Sequence, residues 1–246
     1  MAKKEIMVDK FFYRKWPVAL NYRGDTVING MGLVFVLAAL LFWGIFGETE
    51  PLMFLVVITA VTGLLDDMAG DRSVRGFSGH FRQLIRGRLT TGAFKALIIA
   101  PAVLLTLVPG DDQVFLLMIK VWIILLMTNL FNLLDLRPGR LLKVFILSSL
   151  FLIGLSPEYL PVLLPLFLVL IFYLPGELQG RYMLGDTGAN TLGIIIGYGY
   201  GQLESTPLLL ILLVFLLGIN LLSEAYSFSE IIDKNRFLGW LDGLGR

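Results

Sequence analysis

Apolar runs bounded by charged or turn-forming residues recur along the chain at about 27–46, 52–65, 93–109, 113–135, 141–156, 160–174, 190–203 and 207–222. One such run could be the buried helix of a soluble domain, but eight in a chain of 246 residues leave too little polar surface to cover them. The pattern therefore predicts an all-α fold, a polytopic transmembrane bundle of about eight spans. Several runs are shorter than the roughly 20 residues needed to cross a ~30 Å hydrocarbon core, so their helices should continue into the polar flanks. With no repeat, low-complexity stretch or dividing linker, residues 1–246 read as one membrane domain. It comprises an N-terminal segment at 1–26, a bundle at 27–222 and a C-terminal segment at 223–246.

Composition strengthens this reading. Apolar residues make up 57% and charged residues 16%, with a mean hydropathy of +0.80, against roughly 45–50% and 25% in soluble domains. The basic residues cluster before the first run (Lys3, Lys4, Lys10, Arg14, Lys15, Arg23), after the second (Arg72, Arg75, Arg82, Arg86, Arg88, Lys95) and after the fourth (Arg137, Arg140, Lys143). Arg181 follows the sixth, and Lys234, Arg236 and Arg246 close the chain. The alternate connections carry none, and Lys120, near the outer end of its span, is placed to snorkel outward. By the positive-inside rule both termini and the long loops face the cytoplasm, which makes this a multi-pass protein of the cell membrane with an even number of spans. The N-terminus shows no apolar h-region, so the first span is expected to act as the targeting signal. Cysteine is absent and His80 is the one histidine, which excludes thiolate chemistry and a multi-histidine metal site. The basic residues follow topology without interleaved aromatics, so no nucleic-acid partner is expected.

Carboxylates at a membrane surface are costly and therefore informative. Asp66 and Asp67 end the second run, Asp135 ends the fourth and Asp186 follows the sixth, all on the cytoplasmic side. Taken singly, each reads equally well as a helix cap or a solvated interfacial charge. Taken together they read as a site. Asn129, Asn132 and Asp135, spaced i, i+3, i+6, should form a polar stripe facing a cleft. Hard oxygen ligands in such number suit Mg2+, which keeps waters and accepts substrate phosphates, while Arg137 and Lys95 nearby suit a phosphate-rich anion. Gly185, opening the GDTG stretch before the seventh run, should present backbone N–H groups to a phosphate. In the 66–92 loop, Phe81 to Arg86 could form a short amphipathic turn, and Thr90 should cap the third helix with Lys95 in its first turn.

GLLDD at 63–67, NLFNLLD at 129–135 and MLGDTG at 183–188, in that order, resemble the signature loops of the polyprenyl-phosphate N-acetylhexosamine-1-phosphate transferases. That superfamily includes the phospho-MurNAc-pentapeptide translocase and the GlcNAc-1-phosphate transferases. The likeness runs from about Asn21 to Leu222. It implies transfer of a sugar-1-phosphate from a UDP-N-acetylhexosamine to undecaprenyl phosphate with release of UMP, in a bilayer, with Mg2+ or Mn2+ as cofactor. A homodimer is compatible with it. Asp66 matches the carboxylate associated with the lipid phosphate, Asp67 and Asp186 match metal ligands, Asn132 and Asp135 match an Asn-x-x-Asp pair, and Lys95 matches a lysine entering the next helix.

The chain also departs from that pattern. At 135–140, DLRPGR replaces Asp-Gly-x-Asp-Gly-Leu, putting Pro138 where a second aspartate belongs. The Pro-Thr-x-Gly-Gly loop is reduced to residues 26–32, and residues 223–246 lack the histidine-rich loop. Donor contacts should then come from Arg137, Arg140, Arg181 and the 66–92 loop. Two alternatives remain at this point. One is a non-catalytic relative that binds lipid phosphate or nucleotide-sugar. The other is a small transporter, for which only Lys120 offers a charge within a span.

Overall fold

The computed structural model describes residues 16–20, 24–47, 50–69, 83, 85–87, 90–108 and 113–245. The N-terminal basic cluster through Lys15, Arg23, His80, Phe81 and most of the 66–92 loop lie outside these residues. Among those described there are ten α-helices, one 3-10 turn and a two-stranded hairpin. The hairpin pairs β1 (Val18–Leu20) with β2 (Thr26–Ile28), Val18 facing Ile28 and Leu20 facing Thr26. The helices are α1 (Leu33–Phe46), α2 (Glu50–Ala69), α3 (Thr91–Leu107), α4 (Val114–Leu134), α5 (Arg140–Leu155), α6 (Leu160–Leu178), α7 (Gly185–Gly201), α8 (Thr206–Ala225), α9 (Phe228–Lys234) and α10 (Arg236–Gly243).

Helices α1 to α8 fall one in each expected apolar run, and four stretches are long and apolar enough to cross a bilayer: Glu50–Met68, Val114–Leu134, Pro157–Leu178 and Thr206–Ala225. The helices do continue into their flanks. Helix α2 runs through Asp66 and Asp67, α6 reaches past Glu177, and α7 begins at Gly185 rather than at 190. The first run differs from expectation, because residues 27–32 form the end of β2 and a turn, leaving α1 only 14 residues. Backbone bonding explains the difference. Met183 N–H donates to the Ile28 carbonyl at 2.9 Å, and the N–H groups of Met31 and Gly32 donate to Met183 and Leu184 at 3.1 and 3.0 Å. Residues 28–32, the end of β2 and the turn after it, are thus pinned against the segment leading into α7.

Helix α7 sits at the centre, with all but Asp186 and Tyr198 of its seventeen residues buried. Around it stand α1, α2, α4 and α5, with α4 and α2 making the widest contacts. Small residues allow the close crossings: Gly188 meets Gly32 backbone to backbone, and Gly63 meets Asp186 and Thr187. Helix α1 is tied to α6 by Trp43, whose indole N–H donates to the Val162 carbonyl at 3.1 Å, and by Phe35 edge-on to Tyr173 with ring centroids 5.1 Å apart. The outside of the bundle is apolar as well, with Leu41, Leu147, Phe172, Val214 and Leu221 exposed.

Candidate active site at the head of the central helix

The site is organised by the first turn of α7, whose leading N–H groups have no partner within the helix. Asp67, in the last turn of α2, supplies the missing acceptor from another element. Its Oδ1 accepts from Asp186 N–H at 2.9 Å and from the Asn29 side-chain amide at 2.8 Å. Its Oδ2 accepts from Thr187 N–H at 3.0 Å and the Thr187 hydroxyl at 2.6 Å. A carboxylate has about four acceptor positions, so four protein donors account for all of them. The anion expected to be a phosphate at this helix N-terminus is Asp67 itself.

The neighbourhood is built around that clamp. Asn29 is delivered by the hairpin: its N–H donates to Pro17 O at 2.9 Å, and its own carbonyl accepts from the Trp16 indole at 2.8 Å. Gly185 adopts φ +69°, and a Cβ there would lie 2.7 Å from both Asp67 carboxylate oxygens, so only glycine lets the α2 carboxylate reach the helix.

One turn along, Lys95 stands between Asp66, at 2.6 Å, and Asp186, with which it is also paired. Thr90 caps α3 as expected, its side chain accepting from Ala93 N–H at 3.2 Å, and this places Lys95 at the site. All three side chains are largely covered, at 12%, 16% and 28% exposure for Lys95, Asp66 and Asp186. Asp135, just past the end of α4, joins the group: Gly185 N–H faces its carboxylate, and Asp67, Asp186 and Glu177 stand near it. Lys95 is the one basic side chain paired within this cluster among the described residues, so the cluster carries an excess of negative charge.

Asp66, Asp67, Lys95, Asp135, Gly185 and Asp186 are therefore brought together. Asn132 sits one turn before Asp135 on α4, half-buried. Arg137 turns to Asp233 of α9 at 2.8 Å. Asn129 leaves the expected stripe, since its amide donates to Asn220 of α8 at 2.7 Å; the 60° drift per step carries it around α4, away from the carboxylates. Arg140, expected to meet a donor, is buried and engaged bidentately by Asp242 of α10 at 2.8 and 3.0 Å.

Two participants escaped the sequence reading. Asn29 had no signal of its own, because its role depends on the hairpin. Glu177 had one: a carboxylate in the continuation of an apolar run is costly without a partner. It is buried, and its Oε1 accepts from the Gly139 N–H at 2.8 Å, pinning the turn between Asp135 and α5. Beside it, burial and then the Glu177 charge push the Tyr182 phenol up, and its O–H donates to the Tyr173 carbonyl at 2.8 Å.

A divalent cation fits part of this group. Asp66, Asp135 and Asp186 offer hard oxygen ligands with surplus charge, as Mg2+ prefers. Asp67 does not fit, because its acceptor positions are taken. Among the described residues no three acidic or histidine side chains form a ready ligand set, and Lys95 occupies the space between two of the candidates.

The chain matches no family model, no curated protein and no solved structure. The likeness to the sugar-1-phosphate transferases therefore rests on the three motifs and on where they stand.

Proposed function

We propose that this chain is a multi-pass protein of the cell membrane, with α1 to α8 as its spans and both termini cytoplasmic. In this reading it moves a sugar-1-phosphate from a UDP-N-acetylhexosamine to a polyprenyl phosphate for cell-wall or surface-glycan synthesis. The observation that carries the reading is convergence: three motifs spread over more than a hundred residues meet at one helix head, with Lys95 among their carboxylates. A polyprenyl phosphate oxygen attacks the β-phosphorus of the donor, the bond from that phosphorus to the bridging oxygen breaks, and UMP leaves with the bridging oxygen. A phosphate nucleophile needs no strong base, so positioning and charge neutralisation are the protein's task. Bound Mg2+ would neutralise the donor pyrophosphate, held by Asp186 with Asp135 or Asp66. Lys95, freed from that carboxylate pair, is placed to meet a phosphate, and Asp67 keeps the helix head rigid.

The test is UMP release from UDP-GlcNAc and UDP-GalNAc with undecaprenyl phosphate, with and without EDTA. Metal-dependent release is expected, falling about a hundredfold or more in Asp186→Asn. The absence of release with every donor would overturn the transferase reading. One observation favours a second reading, a non-catalytic relative that binds lipid phosphate or nucleotide-sugar: Arg140, a candidate donor contact, is committed to Asp242. That reading expects retained binding of UDP-sugar or lipid phosphate without UMP release.

A further inference from the structure

Helix α10 is amphipathic the wrong way round for water. Phe237, Trp240 and Leu241, with Leu244 just past its end, follow the i, i+3, i+4, i+7 spacing of one helical face. That face is bare, Phe237 being 65% and Trp240 60% exposed, whereas polar Asp242 on the opposite side is 8% exposed and faces the bundle. A helix lying in solvent would present these faces the other way.

The latch that holds it in this attitude also sets its depth. Asp242 takes both forks of Arg140, the first residue of α5, and the third guanidinium nitrogen donates to Ser229 of α9 at 3.0 Å. Lys143 donates to the carbonyls of Leu241 and Asp242 at 3.0 and 2.6 Å, closing the C-terminal end of α10. Lys143 lies about 4.5 Å along the α5 axis from Arg140, at 1.5 Å rise per residue. Gly245 rests against Leu178, the last residue of α6. Helix α10 is thus level with the first turn of one helix and the end of another. The flanks of those two helices are bare and apolar as well, at Leu147 and Phe172.

We propose that α10 is an in-plane helix of the cytoplasmic membrane interface, its Phe237–Trp240–Leu241 face sunk into the lipid headgroup boundary and its Asp242 face latched to the bundle. The occupant of this face is the bilayer itself. Three features select lipid over a protein partner: the level at which the latch holds the helix, beside the ends of α5 and α6, the stacked Phe237 and Trp240 rings of a kind enriched at membrane interfaces, and the basic residues Lys234 and Arg236 beside them, which suit anionic headgroups. The inference rests on the membrane topology proposed above and not on the transferase chemistry.

The chain has no cysteine, so single introduced cysteines can be spin-labelled uniquely. The experiment places the label at Trp240→Cys, Phe237→Cys, Glu230→Cys and, as a reference inside a span, Phe172→Cys, in the full chain in nanodiscs of mixed phosphatidylcholine and phosphatidylglycerol. The ratio of collision with oxygen to collision with a water-soluble nickel chelate should be severalfold higher at 237 and 240 than at 230, and highest at 172. A ratio at 240 equal to that at 230, or shelter from both reagents as under a second copy or another protein, overturns the proposal while leaving 172 in lipid. Nickel access at 172 would instead overturn the topology on which it rests. Because the variants trim the apolar face, the unsubstituted chain gives an independent reading: shallow doxyl lipids should quench a component of tryptophan emission that disappears in Trp240→Phe. If wild type and Trp240→Phe are quenched alike, that indole is not in lipid.

Discussion

Helices α7 and α8 follow one another in the chain and occupy opposite environments. Helix α8 is rich in leucine and has the highest hydropathy of the four long apolar stretches, yet only Leu209, Leu216 and Asn220 in it are buried. Helix α7 carries six glycines, two threonines, an asparagine and an aspartate, and is almost wholly enclosed. In water the order would be reversed, because burying leucine is what drives association there. In lipid, where the surroundings are as apolar as leucine, close packing of small residues decides which helix is central. A helix held in this way can bring its N-terminus and its polar first turn into the middle of the protein, and that is where the candidate site stands.

The sharpest test of the comparison is Asp67→Asn. An amide accepts at one oxygen only, so two of the four donors to Asp67 face an NH2 group in place of a carboxylate oxygen. At ~1.5–3 kcal/mol per hydrogen bond to a charged group, a loss of about 3 kcal/mol is expected, read as a lowered midpoint of unfolding in detergent. An unchanged midpoint with lost Mg2+-dependent activity would return Asp67 to the metal.

Next in size is one substitution made on both helices. A Cβ at Gly193 would lie 2.7 Å from the Thr128 Cα, and one at Gly197 2.9 Å from the Ile124 Cα, both on α4, whereas Gly218 of α8 has nothing within 4 Å. Gly193→Ala or Gly197→Ala should cost about 1–3 kcal/mol by overpacking. Gly218→Ala should stabilise by up to ~1 kcal/mol through helix propensity. Equal effects on the two helices would show that α7 is not the close-packed centre.

The smallest effect concerns the polar tie of α8. Asn220 accepts from Asn129 and donates to Leu126 O at 3.3 Å and, within α8, to Leu216 O at 2.8 Å. A double-mutant cycle with Asn129→Ala and Asn220→Ala should give a coupling near 0.6 kcal/mol, the average for polar contacts between membrane helices. A coupling of several kcal/mol would make α8 depend on a polar contact as much as α7 depends on packing.

Much of this arrangement was legible in the chain. The apolar runs locate α1 to α8, Thr90 marks the start of α3, and the carboxylates at the ends of the runs mark the helix ends that meet, because hydrophobic length and capping are local properties. The functions of those carboxylates were not local. Asp66 and Asp67 are adjacent and chemically identical, yet one meets an ammonium and the other caps a helix 119 residues away. Arg137 and Arg140 read alike as phosphate contacts until α9 and α10 fold back and supply Asp233 and Asp242. By itself, then, the sequence determined which segments leave water and which residues stand at their ends, since transfer free energy is summed residue by residue. The tertiary structure decided which donor each carboxylate meets, which helix becomes the centre and which way α10 faces. Those outcomes depend on backbones approaching within ångströms, and that distance is set by side chains far apart in the chain.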